Sequence, residues 1–178
     1  MASPPSKPLI TDSGNKSYFE KICELAKEYL EEDNIILNFD GYEQTVEEYK
    51  SLSEEDISTA WKLTKELNAW SEYFSDISNL IQKKYLDSET EKMEIQAIKS
   101  IEHNEKSVSA GDRHANTDPI VIQKRKKRNI LKSLYDELTS KIKFLERAYY
   151  HCKSTCEWAN RIKTSYTERP LDGQLPNG

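Results

Sequence analysis

The fold is decided by residues 131–159, which read LKSLYDELTSKIKFLERAYYHCKSTCEWA. Apolar or small side chains recur there at alternating steps of four and three residues through four heptads. Their positions are Leu131, Tyr135, Leu138, Ile142, Leu145, Tyr149, Cys152, Cys156 and Ala159. This repeat is typical of a long helix with a narrow coiled-coil seam. We predict that the first six of these positions lie on a buried seam, within one chain or between subunits, and that the helix begins at Pro119 behind an Asp118 N-cap.

A second heptad run precedes this one, and together they predict a hairpin. Its apolar positions are Leu63, Leu67, Trp70, Phe74, Ile77 and Ile81, followed after a weaker stretch by Ile95, Ile98 and Ile101. Ser53 is the expected N-cap, with acidic residues in the first turn. The polar stretch 107–118 reads as a loop. The sequence therefore predicts an all-α protein built on a long, coiled-coil-like antiparallel hairpin over residues 53–166.

The rest of the chain is expected to be a smaller, mostly helical part and two disordered ends. Apolar residues at steps of three and four predict an acidic helical segment over residues 15–52. Within it, residues 34–41 fit either a short strand or an apolar connector that ends in an Asp-Gly turn. Residues 1–14, rich in Pro and Ser, read as a disordered arm, and residues 167–178 as a disordered tail.

Composition argues against several classes of protein. Only 36% of the residues are hydrophobic and 32% are charged, and no run approaches the 18 apolar residues of a membrane span. Three cysteines, an odd number, and an N-terminus without an apolar signal region suggest a reduced, cytoplasmic protein, in the host cytoplasm if the protein is viral. His151, Cys152 and Cys156 lack further ligands for a metal. No catalytic motif is present, so we expect no enzyme, no cofactor and no metal.

The net charge of −5 hides a division between an acidic front and a basic back. Residues 1–118 carry a net −12 and residues 119–169 a net +8. The densest basic run is Lys124, Arg125, Lys126, Lys127 and Arg128. Cations near a helix N-terminus oppose its dipole, so a compensating anion is expected. Three interpretations stay open, which are contact with nucleic-acid phosphates, pairing with the acidic front half, and a solvated helix face with no binding role.

A second basic face, interleaved with aromatic residues, follows on the same helix. Its members are Arg147, Tyr149, Tyr150, Lys153, Trp158, Arg161, Lys163 and Tyr166. Such interleaving suits single-stranded nucleic acid, because bases stack on the rings while cations pair with phosphates. Tyr149 and Trp158 fit a seam position and an interface anchor better than a DNA contact. The candidates for contact on an outer face are Tyr150, Lys153, Arg161 and Lys163.

Three features between about Trp61 and Ile162 carry a family resemblance. Trp70-Ser-Glu-Tyr73 lies in a long helix that continues into heptads bearing Lys83, Lys84, Lys92 and Lys99. A polar break precedes Asp118, and the last helix carries Arg147 followed by Tyr150-His-Cys-Lys-Ser-Thr-Cys-Glu-Trp158. This order resembles the UvsY-type recombination mediators of T-even phages and their relatives. The family's basic, Tyr-rich DNA-contacting segment corresponds to residues 95–113, which contain no Tyr here.

The resemblance implies a function that the residues alone do not give. It implies a single-stranded DNA-binding mediator that forms a homo-oligomer and helps a strand-exchange recombinase displace single-strand-binding protein. The alternative is a coiled-coil interaction or structural protein, of a virion or a scaffold, without a nucleic-acid role. In that case the acidic front would dock on the basic back.

Overall fold

The protein is all-α. A computed structural model describes residues 16–53, 55–102 and 107–167, and it describes side chains for these except at residues 160 and 162–167. Within these ranges there are five helices and no strand: α1 (Tyr18–Glu31), α2 (Tyr42–Lys50), α3 (Ile57–Glu102), α4 (Val108–Thr117) and α5 (Pro119–Thr167). The predicted disordered arm and residues 168–178 of the predicted tail lie outside the described residues. Thr167, which was placed in that tail, is instead the last residue of α5.

The chain divides into two compact units, and α3 and α5 contribute to both. Among the described residues, unit 1 comprises residues 16–37 and 80–137, and unit 2 comprises residues 38–79 and 138–167. In unit 1 the second half of α3 packs against the first half of α5 and against α1. In unit 2 the first half of α3 packs against the second half of α5 and against α2. The antiparallel hairpin that the heptad runs predict is therefore present.

Local capping chemistry sets where the helices begin. Ser17 and Glu20 form a reciprocal capping box at the start of α1. At α5 the prediction is confirmed, because the Asp118 carboxylate accepts a hydrogen bond from the Ile120 N–H at 2.8 Å and Pro119 is the first helical residue. At α3 the predicted cap was wrong. Asp56, not Ser53, accepts from the third residue of the helix, Thr59, at 3.0 Å.

The stretch expected to be a loop, residues 107–118, is mostly the helix α4. Ser107 is its N-cap and accepts a hydrogen bond from the Ala110 N–H. The helix has one small buried face, formed by Gly111 and Ala115. Gly111 lies directly against the backbone of Ser100 in α3. The loop prediction failed because the small, polar residues of α4 form a helix through close backbone packing and not through an apolar stripe.

The sequence left two structures open for residues 34–41, a short strand or a connector. The structure shows the connector. Gly41 ends this connector with a φ of 87°, in the left-handed region that favours glycine. Phe39, from the connector, lies parallel to the ring of Phe74 at a centroid distance of 5.2 Å. It thereby anchors the connector on α3, beside the start of α2.

The core of unit 2 contains an aromatic cluster at the point where α2 crosses α3. The Phe74 side chain is fully buried, and the Tyr42 ring lies 4.9 Å from it. The Trp70 indole N–H donates to Thr45 Oγ1 at 3.2 Å, which fixes the indole against α2. On the opposite side of the core, α5 supplies buried positions that include Leu138 and Leu145. This packing fixes the positions of α2 and α5 within unit 2, and with them the polar side chains of α2 and the solvent-facing side of α5.

The seam of α5 follows the predicted register in part, and its last three positions, Cys152, Cys156 and Ala159, are buried as predicted. Leu131, Leu138 and Leu145 are fully buried, as expected for seam positions. Tyr135, Ile142 and Tyr149 are only half-buried. Leu134 and Ala148, which the four-three pattern omitted, are buried instead. The reason is that α5 packs against more than α3. In unit 2, for example, Phe144 and His151 of α5 contact the ring of Tyr49 in α2, so the buried stripe is broader than a two-helix seam.

Candidate nucleic-acid interface

Most of the basic run 124–128 is occupied by partners within unit 1. Arg128 donates from Nη2 and Nε to one carboxylate oxygen of Glu89, at 2.6 and 3.2 Å. Lys124 pairs with Glu91, which is also on α3. Arg125 donates to the side-chain carbonyl of Asn116 in α4 at 2.6 Å. The partners of Arg128 and Lys124 are carboxylates of the acidic front half, so the pairing that the charge division allowed is present in the structure.

The end of α1 supplies a further partner for the run. Lys127 lies 2.9 Å from a carboxylate oxygen of Glu32, and its ammonium is 5.4 Å from the centroid of the Tyr29 ring. Lys84 of α3 donates to the Tyr29 carbonyl at 2.6 Å and pairs with Asp33. Of the five cations of the run, Lys126 is the one exposed to solvent. The run therefore has a structural role in holding α1 and α3 to α5.

The ion pairs of Arg128 and Lys127 lower the pKa of the carboxyl groups that they bind. The hydrogen bond from Arg128 holds the pKa of Glu89 below its ordinary value, and the hydrogen bond from Tyr85 adds to this. The hydrogen bond from Lys127 does the same to the pKa of Glu32. Because these groups stay accessible to water, each pair contributes little to stability by itself. Their combined effect is best detected through pH.

Stability is expected to fall in acid more steeply for the wild type than for a variant lacking these two carboxylates. A lowered folded pKa adds stability above the ordinary Glu pKa of about 4.3, and that contribution is lost as the pH falls through the folded pKa. We expect Glu32→Gln with Glu89→Gln to reduce the loss in the free energy of unfolding between about pH 6 and about pH 3. Urea unfolding at each pH measures it. The control is Glu43→Gln with Glu94→Gln, two exposed carboxylates, and an equal reduction there would contradict the assignment.

The second predicted face, on α5 in unit 2, is open to solvent. Tyr150 is 65% exposed and Trp158 is 64% exposed. Lys153 and Arg161 are exposed beside them, as is Arg147, whose Nε donates to the Lys143 carbonyl one turn earlier. The side chain of Lys163, the fourth candidate of this face, is outside the described residues. The structure thus brings Tyr150, Lys153 and Arg161 to one solvent-facing side of the helix.

The exposure of Trp158 and Arg147 bears on the sequence predictions. Trp158 was expected to be an interface anchor; its indole faces solvent in the single chain, where an anchor for another subunit or partner is exposed as well. Arg147, a member of the predicted basic-aromatic face, lies on the same outer side of the helix as Tyr150. Helical spacing gives this grouping, since Arg147 precedes Tyr150 by three residues and Arg161 follows Trp158 by three.

The two thiols of α5 lie in the core. Cys152 is fully buried, and its burial raises the pKa of the thiol to about 11. Cys156 is also buried, and desolvation raises its pKa as well. Over the described ranges no three His, Cys, Asp or Glu side chains are grouped to hold a metal ion. Both thiols are therefore protonated packing groups at neutral pH.

Comparison with known proteins adds no identity to this geometry. No family model matches the chain. No curated protein and no solved structure matches it either. Within the part of the chain that the structure describes, none of the helices has the length and apolar character to cross a membrane. What the protein does must therefore be argued from its own residues.

Proposed function

We propose that the protein is a single-stranded DNA-binding recombination mediator that helps to load a strand-exchange recombinase. One observation carries the DNA-binding part of this proposal, namely the solvent-facing side of α5 in unit 2. There two large aromatic rings, of Tyr150 and Trp158, stand among the cations of Arg147, Lys153 and Arg161. Because these rings are already exposed, a base can stack on them without displacing other side chains. Each stacked base contributes about 1–3 kcal/mol to the free energy of binding.

The spacing of this face suits a strand lying along the helix. At about 1.5 Å of rise per residue, Tyr150 and Trp158 are roughly 12 Å apart along the axis, and Arg147 and Arg161 roughly 21 Å. The cations therefore flank the two rings on both sides. A backbone that follows the helix can pair its phosphates with the cations while its bases reach the rings.

The run 124–128 has a smaller part in this proposal than its charge density suggests. Lys124, Lys127 and Arg128 are paired with carboxylates, so a phosphate must displace an existing anion. Lys126 is exposed and can add a phosphate contact without that exchange. The face around Tyr150 is therefore the primary site, and the run is secondary.

The remaining parts of the proposal follow from the resemblance to UvsY-type mediators. The protein acts without catalysis and without a cofactor, in the cytoplasm, or in the host cytoplasm if it is viral. Its partners are single-stranded DNA, a recombinase, single-strand-binding protein and further copies of itself. Exposed apolar side chains such as Trp158 are compatible with protein contacts as well as with base stacking.

The test of the proposed face is the salt dependence of single-stranded DNA binding. Each phosphate neutralised on a single strand contributes about −0.7 to the slope of log K against log salt. Changing Arg147, Lys153 and Arg161 to Gln is expected to flatten that slope by about 2. Fluorescence anisotropy of a labelled oligo(dT) at several salt concentrations gives the slope.

A matched variant separates this face from general charge. Lys27→Gln, Lys65→Gln and Lys83→Gln also remove three exposed cations, on α1 and α3, and are expected to leave the slope nearly unchanged. Changing all of residues 124–128 to Gln tests the secondary site. If that change flattens the slope and the α5 triple variant does not, the primary site is the run 124–128. If the wild type has no affinity for DNA, the proposal fails.

The second candidate function is a helical interaction or structural protein, of a virion or a scaffold, without nucleic-acid binding. One observation favours it, which is that the densest cations of the chain are paired with Glu32, Glu89 and Glu91 of the same unit. On this reading the run 124–128 is only a structural clamp. DNA binding separates the two candidates, because an interaction or structural protein predicts that neither the wild type nor the variant neutralised at residues 124–128 binds DNA.

A further inference from the structure

An open groove lies in unit 2 along the junction between the start of α2 and the first half of α3. Its volume is about 580 Å³. The groove has an aromatic base, formed by Trp70 and Tyr73, and a polar rim with three carboxylates and one ammonium group. The rim residues are Asp40, Glu48, Glu66 and Lys62. Neither the α5 face nor the run 124–128 contributes to it.

The aromatic base of the groove is held rigidly. The Trp70 indole N–H is bound to Thr45 Oγ1 at 3.2 Å, and Thr45 in turn donates to the Gly41 carbonyl at 3.1 Å. The Tyr73 hydroxyl accepts from the Asn38 N–H at 3.1 Å. The two rings meet edge to face, with centroids 5.8 Å apart. Such a base can take a ligand without the entropic cost of ordering its rings.

The groove already holds one cation of its own. The Lys62 ammonium lies 2.9 Å from both carboxylate oxygens of Glu48 and 3.6 Å from Glu66. This ion pair shows that the carboxylates of the rim can bind a cation. With Asp40 exposed at the other end, the rim keeps a net negative charge after Lys62 is counted. The groove is therefore complementary to a further cation that has a flat, stackable body.

We propose that this groove binds the arginine side chain of an extended, basic segment of a partner protein. A guanidinium fits better than an ammonium because it is planar, stacks on an indole and donates in a fork to carboxylates. Its plane lies on Trp70, and its N–H groups reach the carboxylates of Asp40 and Glu66. The partner's backbone runs along the groove, between α2 and α3.

The probe is Nα-acetyl-arginine amide, with Nα-acetyl-citrulline amide as its neutral isostere. The protein is the full chain with Trp61→Phe and Trp158→Phe, two exposed positions, so that Trp70 is the one indole of the chain. NMR of the Trp70 indole N–H follows each titration. We expect saturable shifts with arginine, with a Kd of about 1 mM, and at least tenfold weaker binding of citrulline.

Two charge variants on α3 give different expectations for the same change of charge. Lys62→Met removes the competing ammonium and frees Glu48 and Glu66, so arginine is expected to bind about fivefold more tightly. Lys65→Met is the matched control, because Lys65 lies over the Trp61 ring and outside the groove. It is expected to leave the affinity within about twofold. Asp40→Asn is expected to weaken binding about threefold.

Several results would overturn the proposal. Equal shifts with arginine and citrulline would mean that charge is not recognised. Equal effects of Lys62→Met and Lys65→Met would mean that the whole field of the protein, and not the groove, attracts the ligand. Tighter saturable binding of a peptide comprising residues 168–178, which carries Arg169, would assign the groove to the chain's own segment and not to a partner. None of these results depends on DNA binding, so they leave the proposed function standing or falling on its own test.

Discussion

Replacing Leu134 by Asp is expected to remove most of the stability of the protein. Leu134 is fully buried on the part of α5 that belongs to unit 1. The change removes an apolar side chain whose loss alone costs about 2–5 kcal/mol. It also buries a carboxylate away from water and without a cation to pair with, which adds several kcal/mol to the loss of stability. Because whole domains are stable by only about 5–15 kcal/mol, urea unfolding and far-ultraviolet circular dichroism should show a largely unfolded chain.

The same substitution at Ile142 is the control, and it tests the register of the seam. The four-three pattern puts Ile142 on the seam and leaves Leu134 out, whereas the structure buries Leu134 and leaves Ile142 half-exposed. A carboxylate at position 142 can reach water, so Ile142→Asp is expected to cost far less, on the order of 1 kcal/mol. Equal losses for the two variants, or a greater loss at 142, would restore the predicted seam and contradict the observed packing.

The difference in register shows what periodicity can and cannot give. The sequence correctly predicts one long helix that begins at Pro119, and the heptad steps correctly place Leu131, Leu138 and Leu145 in the core. A heptad repeat assumes that the helix packs against a single partner helix. On that assumption Tyr135 and Tyr149 are buried seam positions. In the structure α5 also meets α1 in unit 1, through Lys127, and α2 in unit 2, through Phe144. A helix with two neighbouring helices buries a wider stripe of side chains than the a and d positions alone. The additional buried positions depend on contacts with residues that are remote in sequence.

The candidate sites were predictable to different degrees. The charge division indicated that the run 124–128 has an anionic partner, and carboxylates of the front half are among its partners in the structure. Their identity was not predictable, because Glu32 is 95 residues from Lys127 and Glu89 is 39 residues from Arg128. The outer face of α5 was largely predictable from helical spacing. The groove beside Trp70 was not, because it depends on how α2 crosses α3.

Replacing Gly111 by Ala is expected to destabilise unit 1, although alanine is the better helix former. In an exposed helix the change would stabilise by about 0.5–1 kcal/mol. Here a Cβ on Gly111 would stand well inside van der Waals contact with the Ser100 carbonyl oxygen, and close to the Ser100 hydroxyl. A backbone carbonyl within α3 cannot turn aside, so α4 must move away. We expect a net loss of about 1–3 kcal/mol, measured as the change in the free energy of unfolding in urea.

Two further variants identify the cause of that loss. Ser109→Ala makes an alanine on the exposed side of the same helix, and it is expected to change stability by less than about 0.5 kcal/mol. Adding Ser100→Ala to Gly111→Ala removes the Ser100 hydroxyl but leaves the carbonyl that blocks the Cβ. It also removes the hydrogen bond from the Ser100 hydroxyl to Asp112 at 2.7 Å. No rescue is therefore expected. Recovery of stability in the double variant would mean that the side chain was the obstacle, and a neutral Gly111→Ala would mean that α4 does not pack on α3 through this glycine.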